Sequence, residues 1–128
     1  MIFLDTSYVI SYFMEDKHHE KAFKLWQKIK KKDLIISKSV MGEVLTVLKG
    51  RKYKVSNDKV KEIHEKIMDN CLLIDDYMYH EEAVVECLEN DLSYFDTIYY
   101  ILMINKGLTN VASYDKGFDQ YPEIRRIG

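Results

Sequence analysis

Four acidic residues in this chain share a position that could do chemistry. Each lies just after a predicted strand or in the helix that follows one; they are Asp5, Glu43, Asp96 and Asp115. Because open parallel sheets bind ligands at the carboxyl ends of their strands, we expect the four carboxylates to meet at that edge. Three of these acids also have a structural explanation on their own: a helix cap for Asp5, a helix shoulder for Glu43, and a favourable first-turn position for Asp96.

Carboxylates that converge need a partner. Two of them about 4 Å apart repel by roughly 4 kcal/mol at an effective dielectric near 20, so one must be protonated or a cation must lie between them. Oxygen ligands without nearby histidine or cysteine favour a hard ion, Mg²⁺ or Mn²⁺, over zinc. Such sites activate water and hold phosphoryl oxygens during an in-line displacement.

The hydrophobic pattern alternates short strands with amphipathic helices, which predicts an α/β fold with a parallel sheet and right-handed crossovers. The predicted strands are 1–4, 34–36, 71–74, 111–112 and 124–127. The predicted helices are 8–14, 18–29, from Ser37 or Ser39 to about Lys49, from Ser56 or Asn57 onward, 79–89, and one that begins near Phe95 and ends at Gly107. Their apolar faces should bury Val47, Leu88 and Phe95, among others.

Length and composition limit the classes of protein. A chain of 128 residues is long enough for one domain, 1–128, with one core. The net charge of −2 excludes a global basic field, so any nucleic-acid contact must use local patches. Cys71 and Cys87 form no CxxC pair and suit buried free thiols in a reducing compartment. We expect no signal peptide and no membrane span, and therefore a cytoplasmic protein.

Two lysine-rich stretches are candidates for such patches. Lys49, Arg51, Lys52 and Lys54 surround Tyr53 in a turn that could follow a phosphate backbone or simply be solvated. Lys28 to Lys32 is a second candidate, although cations also suit a helix C-terminus.

Taken together, these motifs resemble the PIN domain. The resemblance rests on Asp5-Thr6-Ser7 after the first strand, Glu43 within residues 39–44, Asp96 at the start of a helix, and the stretch 113–119. It covers nearly the whole chain, with the order and spacing of the small toxin members, the VapC-like ribonucleases. It implies a three-layer sandwich with a mainly parallel central sheet of about five short strands, the first near the middle.

The resemblance also implies an activity and a set of roles. The activity is Mg²⁺- or Mn²⁺-dependent cleavage of RNA phosphodiester bonds, with Asp5, Glu43, Asp96 and Asp115 holding metal directly or through water. The hydroxyls of Thr6, Ser7 and Ser113 would orient carboxylates and water. Asp119 is either an additional acid or a solvent-facing one. The implied partners are RNA, a VapB-like antitoxin whose tail binds near Tyr8 to Met14 and Trp26, and a second copy in a homodimer.

One feature departs from the family pattern. Small residues often follow the third acid, whereas Tyr99 and Tyr100 follow Asp96 here. Two alternatives to a toxin remain open: a stand-alone RNA-processing or repair nuclease with the same site, and a catalytically silent binding module. Mutually repelling carboxylates argue against the silent module, because it has no physical reason to keep them together.

Overall fold

A computed structural model describes residues 1–128 of the chain. Its centre is a five-stranded sheet in the order β3-β2-β1-β4-β5, and every neighbouring pair is parallel. The strands are β1 (Ile2–Leu4), β2 (Leu34–Ser37), β3 (Leu72–Ile74), β4 (Asn110–Ala112) and β5 (Arg125–Ile127). The predicted α/β sandwich with a parallel sheet of five short strands is confirmed.

Six α-helices connect and cover these strands. They are α1 (Thr6–Phe13), α2 (His19–Ile29), α3 (Lys38–Lys49), α4 (Asn57–Asn70), α5 (His80–Glu89) and α6 (Tyr94–Asn105). Short 3₁₀ turns at Tyr77–Tyr79 and Lys116–Gln120 complete the connections. Ser37 is the N-cap of α3, because its hydroxyl accepts the Val40 amide hydrogen bond at 3.1 Å. None of these helices has both the length and the apolar character that crossing a membrane requires.

The core lies on both faces of the central strand. All three residues of β1 are buried, as a strand between two neighbours and two helical layers requires. The Phe3 ring is fully buried and lies 5.6 Å from that of Tyr99 on α6. By contrast β3 is an edge strand, and Leu72 is 64% exposed.

Three predicted core residues are exposed. Leu88 near the end of α5 is 77% exposed, because this short helix buries only the face that carries Ala83. Val47 and Phe95 are also exposed over about two fifths of their surface, and both line the cleft of the candidate site described below and a second cleft beside it. The periodicity correctly identified the helices, but it cannot distinguish a face that lines the core from one that lines a cleft.

Candidate functional site

A cleft of about 630 Å³ opens at the carboxyl edge of the sheet, where β1 and β4 end. Asp5, Glu43, Asp96 and Asp115 all line it, so the structure brings the four predicted acids together. They come from four different segments: the end of β1, the middle of α3, the first turn of α6, and the loop after β4.

Asp5 is held in place by two serines. Its carboxylate is 5% exposed, and Oδ2 accepts hydrogen bonds from Ser7 Oγ at 2.9 Å and Ser113 Oγ at 2.7 Å. Both hydroxyls bind the same oxygen. Asp5 stands at the N-cap position of α1 but makes no side-chain capping hydrogen bond, so capping alone does not explain it. Burial raises the pKa of Asp5, and the two hydroxyls offset only part of that rise.

The two serines also join the first strand to the loop after β4. Ser7 Oγ accepts from the Tyr114 amide at 2.9 Å, and Ser113 Oγ accepts from the Asp115 amide at 2.9 Å. The hydroxyls lie 3.1 Å apart. The loop that carries Asp115 is therefore fixed directly to the group that orients Asp5.

Glu43 is oriented by a different pair of hydroxyls. Thr6 Oγ1 donates to Glu43 Oε1 at 3.2 Å, and the buried Tyr99 hydroxyl donates to the same oxygen. Burial and the nearby Glu43 carboxylate raise the pKa of Tyr99 well above its ordinary value, so the phenol remains a donor. The other oxygen of Glu43 is left for the cleft.

Asp96 and Asp115 meet beside a glycine. A Cβ atom at Gly117 would lie 2.7 Å from Asp96 Oδ2 and 3.1 Å from Asp115 Oδ1, and the Gly117 amide donates to Asp115 Oδ1 at 2.8 Å. Any side chain at position 117 would therefore push the Asp96 carboxylate away. Gly117 provides the space in which the two acids approach.

The electrostatics of the cleft are centred on Asp96. Its pKa is raised from the ordinary value of 3.8 to about 7, first by burial and then by the negative charges of Asp115, Asp5 and Glu43. This carboxyl is consequently protonated in about half of the molecules at pH 7 unless a positive charge enters the cleft. The raised pKa therefore indicates that Asp96 interacts electrostatically with the other three acids.

The residues fit a hard, hydrated cation. No group of three or more histidine, cysteine, aspartate or glutamate side chains forms a complete metal-binding cluster. Mg²⁺, however, usually keeps several waters and binds proteins through one or two carboxylates, as Asp96 and Asp115 could provide. The one histidine that lines the cleft, His18, is stacked flat on Tyr114 with centroids 4.2 Å apart, so oxygen dominates the donor set.

Other candidate residues lie away from this centre. Asp119 does not line the cleft: it is exposed, and both its oxygens accept hydrogen bonds from Arg126, at 2.9 and 3.0 Å. That guanidinium lowers the pKa of Asp119. An exposed bidentate ion pair on the last strand explains this acid without a role in the site.

Among the basic residues proposed to contact RNA, some line the cleft and others lie away from it. Of Lys49, Arg51, Lys52 and Lys54, only Lys52 lines the cleft, together with Tyr53 and with Lys17, which the sequence did not single out. Lys49 is instead hydrogen bonded to Asn57. The 28–32 cluster leads into β2 and so lies at the amino edge of the sheet, opposite the acids, which argues against a role in the same RNA contact.

Tyr99 and Gly117 are site residues that the sequence reasoning did not identify. Tyr99 follows Asp96 by three positions on a helix, so both side chains lie on the same face, and this spacing was available as a signal. Gly117 offered no signal of this kind, because its role depends on the approach of a carboxylate from α6.

The raised pKa of Asp96 predicts how stability depends on pH. Without divalent ions, the folded protein binds a proton at Asp96 more tightly than the unfolded chain, so stability falls as pH rises from about 4 to about 7. Asp96→Asn should therefore gain stability over the wild type across this window. Since Asp96 is only half buried, we expect a gain of about 1–2 kcal/mol at pH 7.5 and little at pH 4.

Urea unfolding at several pH values in a chelator measures this difference. Asp33→Asn, at an exposed acid outside the cleft, controls for the loss of one negative charge. A gain for Asp96→Asn that is equal at pH 4 and pH 7.5 would contradict the electrostatic account.

The parallel sheet and the four acids at its carboxyl edge define an α/β protein with an acidic cleft. The sequence model described as PIN domain matches residues 2–124, and the chain therefore belongs to the PIN domain family. A search of curated proteins finds no match.

Solved structures share this fold. The structure of Mycobacterium tuberculosis VapC20, described as a sarcin-ricin loop cleaving toxin, is similar with a TM-score of 0.82 and 22% identity over 95% of each chain. VapBC2 from Rickettsia felis, bound to a DNA fragment from its promoter, gives a TM-score of 0.67 and 16% identity over 99% of this chain and 98% of that one. At these identities the likeness concerns the fold.

Proposed function

We propose that this protein is a Mg²⁺- or Mn²⁺-dependent endoribonuclease, a hydrolase of RNA phosphodiester bonds, and the toxin of a toxin-antitoxin pair. The observation that carries the proposal is the single cleft lined by Asp5, Glu43, Asp96 and Asp115, in which burial, together with the charges of the other three acids, raises the pKa of Asp96 to about 7. Membership of the PIN domain family and the fold shared with VapC20 agree with it.

The contacts of each side chain indicate its role in binding the cation or water. Asp96 and Asp115 would hold the cation, with Asp5 fixed nearby by Ser7 and Ser113. Glu43, with one oxygen occupied by Thr6 and Tyr99, has the other free to accept a hydrogen bond from water in the cleft. A bound divalent ion would supply the positive charge that phosphoryl oxygens need and would acidify a water molecule.

Few basic side chains are available to bind the RNA substrate. Lys17 and Lys52 line the cleft and suit contacts to phosphates on either side of the cut bond. Since the acids themselves repel phosphate, RNA and a divalent ion should bind cooperatively.

The antitoxin proposal rests on an apolar pocket as well as on the likeness to VapBC2. This pocket is small, about 20 Å³, and shares no lining residue with the acid cleft; Tyr8, Tyr12, Phe13 and Trp26 contribute to its walls. It coincides with the surface on which the sequence resemblance located an antitoxin tail. A stand-alone nuclease would share the cleft but would need no partner on this surface.

A cleavage assay tests the proposal. Structured and single-stranded RNAs are incubated with the protein in a chelator and then with increasing Mg²⁺ or Mn²⁺. We expect internal cleavage that depends on the ion. Absence of cleavage with every RNA and both ions, or equal cleavage in the chelator, would overturn the proposal.

Gly117→Ala should damage this activity more than it damages the fold. The new methyl group would meet Asp96 Oδ2 at 2.7 Å, and the carboxylate, as a side-chain terminus, would move. Because displacements below 1 Å in a catalytic group are costly, we expect cleavage to slow by about 10- to 100-fold with less than about 1 kcal/mol lost in stability. Single-turnover cleavage and urea unfolding measure the two effects, and an unchanged cleavage rate would show that this approach is unimportant.

A further inference from the structure

Phe95 is an aromatic residue exposed beside the acid cleft. It directly precedes Asp96, and 41% of its surface is exposed, although it lies in the first turn of α6, whose next apolar residues, Ile98 and Tyr99, are buried. Its ring lines the acid cleft and also a second cleft that adjoins it. Glu43 and Val47, one turn apart on α3, are likewise shared by the two clefts, so these three residues form the boundary between them.

The ring is supported from within the protein. Tyr94 contacts it edge-on, with centroids 5.4 Å apart and an interplanar angle of 73°, and Tyr99 lies 6.2 Å away at 28°. Tyr99 is itself buried and hydrogen bonded to Glu43. The position of Phe95 is therefore fixed relative to two acidic residues: it is the neighbour of Asp96 in sequence, and it packs against Tyr99, which is hydrogen bonded to Glu43.

We propose that Phe95, with Val47 beside it, binds an unpaired nucleobase of the RNA, next to the phosphodiester that lies at the acids. This inference rests on the proposed nuclease function and extends it to substrate selection. An aromatic ring offers a stacking face to any base, whereas a base inside a duplex already has both faces covered.

The surroundings favour a nucleotide over an apolar peptide side chain. Most residues that line the acid cleft are polar or charged, so an occupant must combine one flat apolar face with polar groups. Lys17 and Lys52 supply positive charge for its phosphates in the same cleft. With only these two lysines against several acids, phosphate contacts alone are a weak source of affinity, and base stacking adds the part that they lack.

Stacking of a base on Phe95 makes the protein selective for the shape of the RNA. Cleavage should occur where a base can leave its stack, in single strands, loops or bulges, and a purine with its larger face should bind more tightly than a pyrimidine.

Binding to an uncut RNA tests the stacking contact. In the Asp5→Asn background, in which cleavage is expected to be at least about 100-fold slower, Phe95→Ala should weaken binding to a short single-stranded RNA by about 5- to 100-fold, and Phe95→Trp should restore it. The control is Phe23→Ala, because Phe23 is 51% exposed but lies outside both clefts. Equal affinities for the Phe95→Ala and Phe23→Ala proteins would overturn the proposal, and so would failure of Phe95→Trp to restore binding.

A double-mutant cycle, which combines removal of one RNA base with removal of the Phe95 ring, identifies the nucleotide that contacts Phe95. The wild-type enzyme first maps the cut site in an RNA oligonucleotide, and each flanking nucleotide is then replaced in turn by an abasic one. At one of them, base removal should slow the wild type by about 5- to 100-fold and the Phe95→Ala enzyme by less than about twofold. Additive effects at every nucleotide would overturn the base contact while leaving the nuclease function standing, whereas no cleavage by the wild type is the failure of the nuclease function itself.

Discussion

Asp5→Asn is expected to slow RNA cleavage by at least about 100-fold while the protein stays folded, since a carboxylate that holds a catalytic cation, directly or through water, contributes several kcal/mol to the transition state. Asparagine keeps the size of the side chain and can still accept the hydrogen bonds of Ser7 and Ser113. It removes the negative charge, and with it part of the repulsion that raises the pKa of Asp96. Single-turnover cleavage and thermal unfolding measure the two effects.

Asp119→Asn is the matched control for this substitution. It removes a charge from the same region of the chain as Asp115, but from a side chain that is exposed and paired with Arg126 outside the cleft. We expect its cleavage rate to stay within about threefold of the wild type, because surface charge changes away from a site are usually small in effect. Similar rates for the Asp5→Asn and wild-type proteins would remove Asp5 from the mechanism.

Phe3→Ala is expected to cost about 3–5 kcal/mol of unfolding free energy, the usual range when a buried phenylalanine is truncated. Phe3 is fully buried in the central strand, beside Tyr99, so the cavity would open under the site as well as in the core. Urea unfolding measures the loss.

The exposed Phe23 again provides the comparison. Phe23→Ala makes the same chemical change at a side chain that is 51% exposed, and should cost less than about 1 kcal/mol. A loss of similar size in both variants would mean that β1 is not the centre of the core.

Much of the fold could be predicted from the sequence, because strands and helices carry different hydrophobic periods. Buried β1 and β2 appear as continuous apolar runs, and α3 begins after a serine that caps it. Gly107, with φ of +68°, ends α6 as expected. The hydrophobic periodicity of a helix does not distinguish residues that face the core from residues that face a cleft, however, and it therefore predicts Phe95 and Val47 to be buried.

The candidate site was predictable to the level of its acids. Position just after a strand or in a following helix located Asp5, Glu43, Asp96 and Asp115 at one edge, because parallel strands all end there. The sequence could not give the contacts between segments. The bond from Tyr99 to Glu43, the fit of Gly117 against Asp96 and the pairing of Asp119 with Arg126 each join elements whose spacing only the folded chain sets.

Titration of the protein with Mn²⁺ by calorimetry tests the central claim most directly, namely that the four carboxylates form one pocket whose repulsion a divalent ion relieves. We predict saturable binding to the wild type, at least about tenfold weaker binding to Asp96→Asn, and unchanged binding to Asp119→Asn. Equal Mn²⁺ affinity in all three proteins, or no binding to the wild type, would contradict the account.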